Sequence, residues 1–184
     1  SDAIVINEVM YHHRPQPAVR TAGVPVTTEE LLDVGAQWRY NQSGPDLGQE
    51  WAAENHPVGG EWAVGPGMFG FDQSTPPEPI LTNFRWPGLN DPYVVTYYLE
   101  TEFNLSQEQF DRLQALELIH LVDDGAAFFL NGVEVPNSRF NLPDGPLTSA
   151  TLAEENSEAD HEGPISLPLE MAQVGENRLS VEVH

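Results

Sequence analysis

Asp123 and Asp124 stand side by side ahead of Gly125, between one apolar run, Leu116 to Val122, and a second, Ala126 to Leu130. Carboxylates at a point where a sheet ends and a loop begins are placed to meet a cation or a sugar hydroxyl. The same Asp-Asp-Gly triplet is also what a tight strand connection wants for geometry alone, since Asp and Gly favour turn conformations. Both readings stand at this point. Aromatic side chains raise the sugar question from another side: Trp38, Trp51, Trp62 and Trp86, with Tyr40, Tyr93, Tyr97 and Tyr98, offer flat apolar rings that match the C–H face of a pyranose. Which of these rings pack in the core and which, such as Trp86 in Phe84-Arg85-Trp86-Pro87-Gly88, face solvent is not marked by residue type alone.

Motifs for catalysis are thin. His12-His13 with Glu8 would suit a transition metal, and His56, His120, His161 and His184 are scattered, but neither H-E-x-x-H nor facial-triad spacing occurs. His120 alternates with apolar neighbours and reads as a satisfied strand histidine. There is no G-x-S-x-G elbow and no Gly-rich phosphate loop before a helix. The acid pairs Glu154-Glu155 and Glu158-Asp160 lie in a loop-like run, where carboxylates face solvent more often than they act as glycosidase acids. The expectation is a protein that is not an enzyme.

The balance of 29 acidic against 7 basic side chains, a formal charge of -22, argues against a nucleic-acid partner, because phosphates would be repelled. Anionic membranes are disfavoured for the same reason, and no run of about 18 apolar residues is present to span a bilayer. With 40% hydrophobic residues the composition supports a core, so the acid reads as a solvated surface suited to salt or a cation-rich exterior. No cysteine is present, which removes disulfides, thiolate metal sites and a Cys nucleophile.

These side chains need elements to position them. Ile4 to Met10 alternates as a strand, and Thr27-Thr28-Glu29-Glu30-Leu31-Leu32 has the cap and acid-rich first turn of a short helix. Residues 1–34 thus read as an N-terminal arm with one strand and a short helix, and 35–184 as the main domain. From Gln42 to Pro92 Gly and Pro are dense, and only Glu61 to Val64 and Met68 to Phe71 look extended, which predicts long loops laid over a sheet. Tyr93 to Phe103 is the clearest strand, Ser106 to Gln109 opens one or two helical turns, and Asn131-Gly132 signals a two-residue hairpin. Asn137 to Glu162 is polar and loop-like. Asn177 to His184 closes the domain as a strand with Leu179, Val181 and Val183 on one face. Short strands separated by long loops predict an all-β, antiparallel jelly-roll sandwich with one or two short helices.

Several motifs then occur in order: Trp38-Arg39-Tyr40, Trp51, Glu61-Trp62, Thr96-Tyr97-Tyr98-Leu99, Asp123-Asp124-Gly125, Phe129-Leu130-Asn131-Gly132-Val133-Glu134-Val135, Asn141-Leu142-Pro143-Asp144-Gly145, and Gly175 to His184. Over residues 36 to 184 this series resembles the galactose-binding-like jelly-roll accessory domain of large secreted bacterial proteins of planctomycete type. The opening Ile4 to His13 is similar to the first strand of lamin-tail domains in such proteins, although the rest of that domain is missing from the chain after it. The resemblance implies a secreted or cell-surface, non-catalytic module that recognises carbohydrate or another matrix component. It also reaches modules in which an Asp-Asp turn holds Ca²⁺, which takes six to eight oxygen ligands. On that reading Asp123, Asp124 and Glu134 are the candidate metal ligands and calcium the candidate cofactor. Glu134 is alternatively a solvated strand-end charge. Trp86, Tyr93 and Asn131 are the candidate ligand contacts, Asn131 being also a turn residue in its own right. A second expectation, of another class, is a structural subunit that self-assembles by adding its N-terminal strand to a neighbour's sheet edge.

Overall fold

The computed structural model describes residues 3–5, 9–11, 28–70, 76–85 and 93–184, the first two segments by their backbone alone. Among the described residues the chain is an all-β sandwich of two sheets. Its strands are β1 (Ala3–Val5), β2 (Val9–Tyr11), β3 (Glu29–Leu32), β4 (Gln37–Asn41), β5 (Trp62–Pro66), β6 (Phe69–Gly70), β7 (Thr82–Asn83), β8 (Tyr97–Leu105), β9 (Leu116–Val122), β10 (Ala126–Leu130), β11 (Val133–Glu134), β12 (Glu162–Leu167) and β13 (Gly175–Val183). One helix, α1 (Gln107–Arg112), and two 3-10 turns, Trp51–Ala53 and Leu169–Met171, complete the described elements. None of these is long and apolar enough to cross a membrane.

The spine of the six-stranded sheet is the antiparallel pair β8 and β13, in register from Leu105 opposite Gly175 to Tyr97 opposite Val183. Strand alternation sends Tyr97, Leu99, Phe103 and Leu105, with Leu179, Val181 and Val183, into the space between the sheets. Tyr98, Glu100, Arg178 and Glu182 consequently point the other way. That outer face is also covered: Trp51, Ala52, Leu142 and Leu147 from two long loops pack on Tyr98, Ala127, Phe129 and Trp62 as a second apolar cluster. Hence the predicted loops over a sheet are real, and Trp38 and Trp62 are core residues. The sheet continues β11-β10-β13-β8-β4-β5.

In the facing sheet β9 is central. Leu118 pairs with Val9 of β2 on one edge and with Ile165 of β12 on the other, while Val122 and Leu121 pair with Ile4 and Val5 of β1. β1 pairs in turn with β6, and β2 with β3. The short helix expected over Thr27 to Leu32 is not formed at Glu29–Leu32, which is strand β3. The reason is tertiary: β2 offers a ladder, and Leu32 enters the core, outweighing the weak helical preference of a six-residue segment. The helical start at Ser106 does form, with a full capping box: Ser106 Oγ accepts from Gln109 N–H at 3.2 Å and Gln109 Oε1 accepts from Ser106 N–H at 2.8 Å.

The connections at the two ends of β10 differ in kind. Asn131 and Gly132, at φ 52° and 84°, make the two-residue turn between β10 and β11 that the Asn-Gly pair predicts. By contrast, Asp123-Asp124-Gly125 joins β9 of one sheet to β10 of the other, so it crosses between the layers and is not a hairpin. Glycine is needed there by contact: a Cβ on Gly125 would lie 2.8 Å from Leu142 Cδ2 and 3.0 Å from Asn141 O.

His120 lies between the sheets, its ring centroid 4.9 Å from those of both Phe128 and Phe140. It is buried, yet its Nδ1 has no hydrogen-bond partner among the described residues, so the histidine expected to be satisfied is not satisfied at that nitrogen. Burial alone pushes the imidazole down to about 4 from its ordinary 6.5. The unfolded chain therefore takes up this proton before the folded chain does. Stability from His120 is complete above pH ~6.5 and drains as pH falls toward ~4, by about 3 kcal/mol in all. Urea unfolding of the wild type and of His120→Leu at pH 7.5 and 4.5 checks this. The variant is expected to lose less stability over the interval, and parallel losses would contradict the assignment.

Candidate functional site

The layer crossing opens onto a cleft of about 330 Å³ at one end of the sandwich, between the lead-in to β8 and the long loop that starts after Leu147. The lead-in supplies Tyr93, Val94 and Val95, the crossing supplies Asp123 and Asp124, and the loop supplies Leu152 to Asn156. His184, just past β13, closes the floor with Tyr97. Tyr93 and Leu152 are among the most exposed large apolar side chains of the described chain, at 66% and 69%, while Asp123 at the back is 4% exposed. The Asp pair thus sits at the back, while the rim carries Tyr93 and Leu152 together with the exposed Glu154 and Glu155, and the volume is in the size range of small-ligand sites.

Its acidic wall is fixed by hydrogen bonds from several directions. Asp124 Oδ1 accepts from the Ser157 N–H at 2.8 Å, and the Asp124 carbonyl accepts from Asn141 Nδ2 at 3.0 Å. Asn141 also donates to the Glu155 carbonyl at 2.6 Å and accepts the Glu155 N–H at 3.0 Å, so one amide clamps the loop to the crossing. Asn141 has a φ of 52°, a backbone geometry that Asn tolerates well. On the floor the His184 ring joins the six-stranded sheet to the loop: Nδ1 is 3.0 Å from both Thr96 Oγ1 and the Thr151 carbonyl, and Nε2 is 3.1 Å from Glu182 Oε1. The other oxygen of Glu182 accepts from Trp51 Nε1 at 3.1 Å. Loop, crossing and sheet are therefore tied into one preformed wall.

Of the residues singled out from the sequence, Tyr93, Asp123 and Asp124 meet in this cleft. Glu134 and Asn131 do not. Both lie at the far end of β10, Glu134 opposite Phe129, whereas Asp124 precedes Ala126 at the near end. Glu134 is spent on Arg139, accepting from Nε at 2.5 Å and from Nη2 at 3.0 Å, which raises the Arg139 pKa. Asn131 donates to the Met171 carbonyl and to Asn177 Oδ1 and accepts from the Arg178 N–H, a set that locks the turn. It borders a separate polar cavity with Glu102, Gln173 and Arg178. Trp86 lies outside the described residues, as do Glu8, His12 and His13. Among the described residues no three His, Asp or Glu side chains converge as a metal ion would need. The expected calcium set of Asp123, Asp124 and Glu134 therefore does not form a cage here.

Sequence reasoning passed over Leu152, Asn156, Asn141 and His184 as parts of one site; Glu154 and Glu155, read as solvent-facing more than as glycosidase acids, are exposed and sit on the lining. Nothing local marks them, because a long loop and a strand end are brought to the crossing only by the packing of two sheets. Set against protein-family models, curated proteins and solved structures, the chain matches none of them.

Proposed function

We propose that this protein is a non-catalytic extracellular interaction module that binds carbohydrate, or another matrix component presenting hydroxyl groups, in the cleft beside the layer crossing. One observation carries the reading. The exposed ring of Tyr93 and the exposed Leu152 flank a preformed cavity that Asp124 and Asn156 also line. A sugar needs both halves of that arrangement, a flat apolar surface for its C–H face and fixed acceptors for its hydroxyls. The clamps on the wall favour binding further, since little order remains to be imposed when the ligand arrives.

A glycan array probed with the full chain, with and without EDTA, tests this reading and the calcium expectation together. Binding to at least one glycan class is expected, with Tyr93→Ala weakening it ~10-fold or more, a loss of about 1.4 kcal/mol. Silence across the array, or full affinity in the Tyr93→Ala variant, would remove the proposal. Loss of binding in EDTA would bring calcium back as a bridging ion.

A further inference from the structure

The cleft's charge is one-sided. Among the described residues Asp123, Asp124, Glu154 and Glu155 line it, and no arginine does. The chain contains no lysine, so its 7 basic residues are all arginine. Of the five described, Arg39, Arg112, Arg139 and Arg178 hold ion pairs with Glu100 and Glu102, Glu108, Glu134 and Glu100 respectively, away from the cleft, and Arg85 is not on its lining. His184, the remaining basic group on the lining, turns its ring nitrogens to Thr96, Thr151 and Glu182. An anionic ligand would find no arginine counter-charge among the described lining residues, in a molecule whose formal charge is already -22. A positive group would find the Asp pair at the back, the exposed Glu154 and Glu155 on the loop and the face of an exposed tyrosine at the rim.

Resting on the carbohydrate reading of this cleft, we infer that it selects a ligand presenting an ammonium group beside an apolar ring face, the chemistry of a de-N-acetylated hexosamine oligomer. Tyr93 and Leu152 take the ring face, and the wall that Asn141 clamps presents the Asp124 and Glu155 carboxylates to the amine. Uronate and sulfated glycans are rejected by the same charges.

Isothermal titration of the full chain in EDTA tests the inference. The probes are a glucosamine hexamer, its N-acetylated counterpart, a neutral glucose hexamer, a galacturonate hexamer and a lysine oligopeptide. The glucosamine hexamer is expected to bind ~10-fold or more tighter than the N-acetylated one, with the advantage shrinking at high salt, and the galacturonate hexamer not at all. Asp124→Asn removes the charge while keeping an oxygen to accept the Ser157 N–H. It is expected to reduce the preference several-fold and to leave binding of the N-acetylated hexamer unchanged. Asp160→Asn, which removes an exposed charge off the cleft, is the matched control and is expected to keep the preference.

Equal or reversed preference between the two hexamers overturns the inference and leaves the carbohydrate reading standing. A preference unchanged in Asp124→Asn overturns the assigned site. A lysine oligopeptide bound as tightly as the glucosamine hexamer overturns the sugar specificity. No binding by any sugar oligomer overturns the carbohydrate reading itself.

Discussion

Removal of residues 1–13 is expected to abolish the cooperative unfolding transition of this protein. β1 and β2 are inner elements: they pair with β9 on one side and with β6 and β3 on the other. Taking them out strips one edge of β9 from Leu116 to Val122 and disconnects β6 and β3 from the sheet. The resulting cost, a row of ladder hydrogen bonds with the core beneath them opened to water, is comparable to the whole stability of a domain, ~5–15 kcal/mol. Thermal melts by circular dichroism and limited proteolysis check this. A synthetic peptide covering residues 1–13 is expected to restore part of the transition in trans, as a strand re-entering its slot. A truncated chain that melts within ~5 °C of the full one would show that these pairings contribute little. Truncation thus reports on folding, so self-assembly through the N-terminal strand is better tested by sedimentation of the intact chain.

The second large effect is expected at Glu100, on the outer face of the six-stranded sheet. Its carboxylate is wholly buried and gathers three basic groups: Arg39 Nε at 3.0 Å, His56 Nδ1 at 3.4 Å and Arg178 Nε at 3.7 Å. Around it the covering loop is pinned twice more, by Arg178 donating to the Ala52 carbonyl and by His56 stacked on Trp62 at 4.3 Å. Glu100→Ala removes the hub and leaves like charges facing one another over a hole. A fully buried pair broken this way costs about 3–5 kcal/mol. Arg39 and Arg178 are each nearly a fifth exposed, so solvent screens part of the loss and ~2–3 kcal/mol is expected. Glu100→Gln, which keeps shape and hydrogen bonding, is expected to lose less. Urea midpoints measure the total, and hydrogen exchange over residues 50–58 shows whether the loop loosens first. A change under ~0.5 kcal/mol in Glu100→Ala would mean that the cluster is ornamental.

Elements whose signal is local were legible beforehand. The β-branched and aromatic richness of Tyr93 to Phe103 marks β8, although the strand itself begins only at Tyr97, and alternation in Leu179 to Val183 marks β13, because a strand with one dry face must repeat every second residue. Asn131-Gly132 names its own turn, since few residues adopt positive φ cheaply, and Ser106 with Gln109 names its own helix start. Elements whose reason is a distant partner were not legible. β12, which begins where the polar run Asn137 to Glu162 ends, was not read as a strand, being held by β9, and Glu29–Leu32 became a strand because β2 lies beside it.

The same division runs through the candidate site. Residue types alone determined that this chain builds an acidic β-sandwich, that it offers aromatic rings and an Asp pair for recognition, and that it lacks thiol chemistry. Packing decided which of these meet. The Asp pair proved to be a passage between sheets, so it faces Tyr93 and the loop after Leu147, while Glu134 and Asn131 were carried one strand-length away and bonded there. A sequence encodes conformational preference within a few residues of itself, whereas the meeting of Asp124 with Leu152 and Tyr93 comes from how two twisted layers close on a shared core.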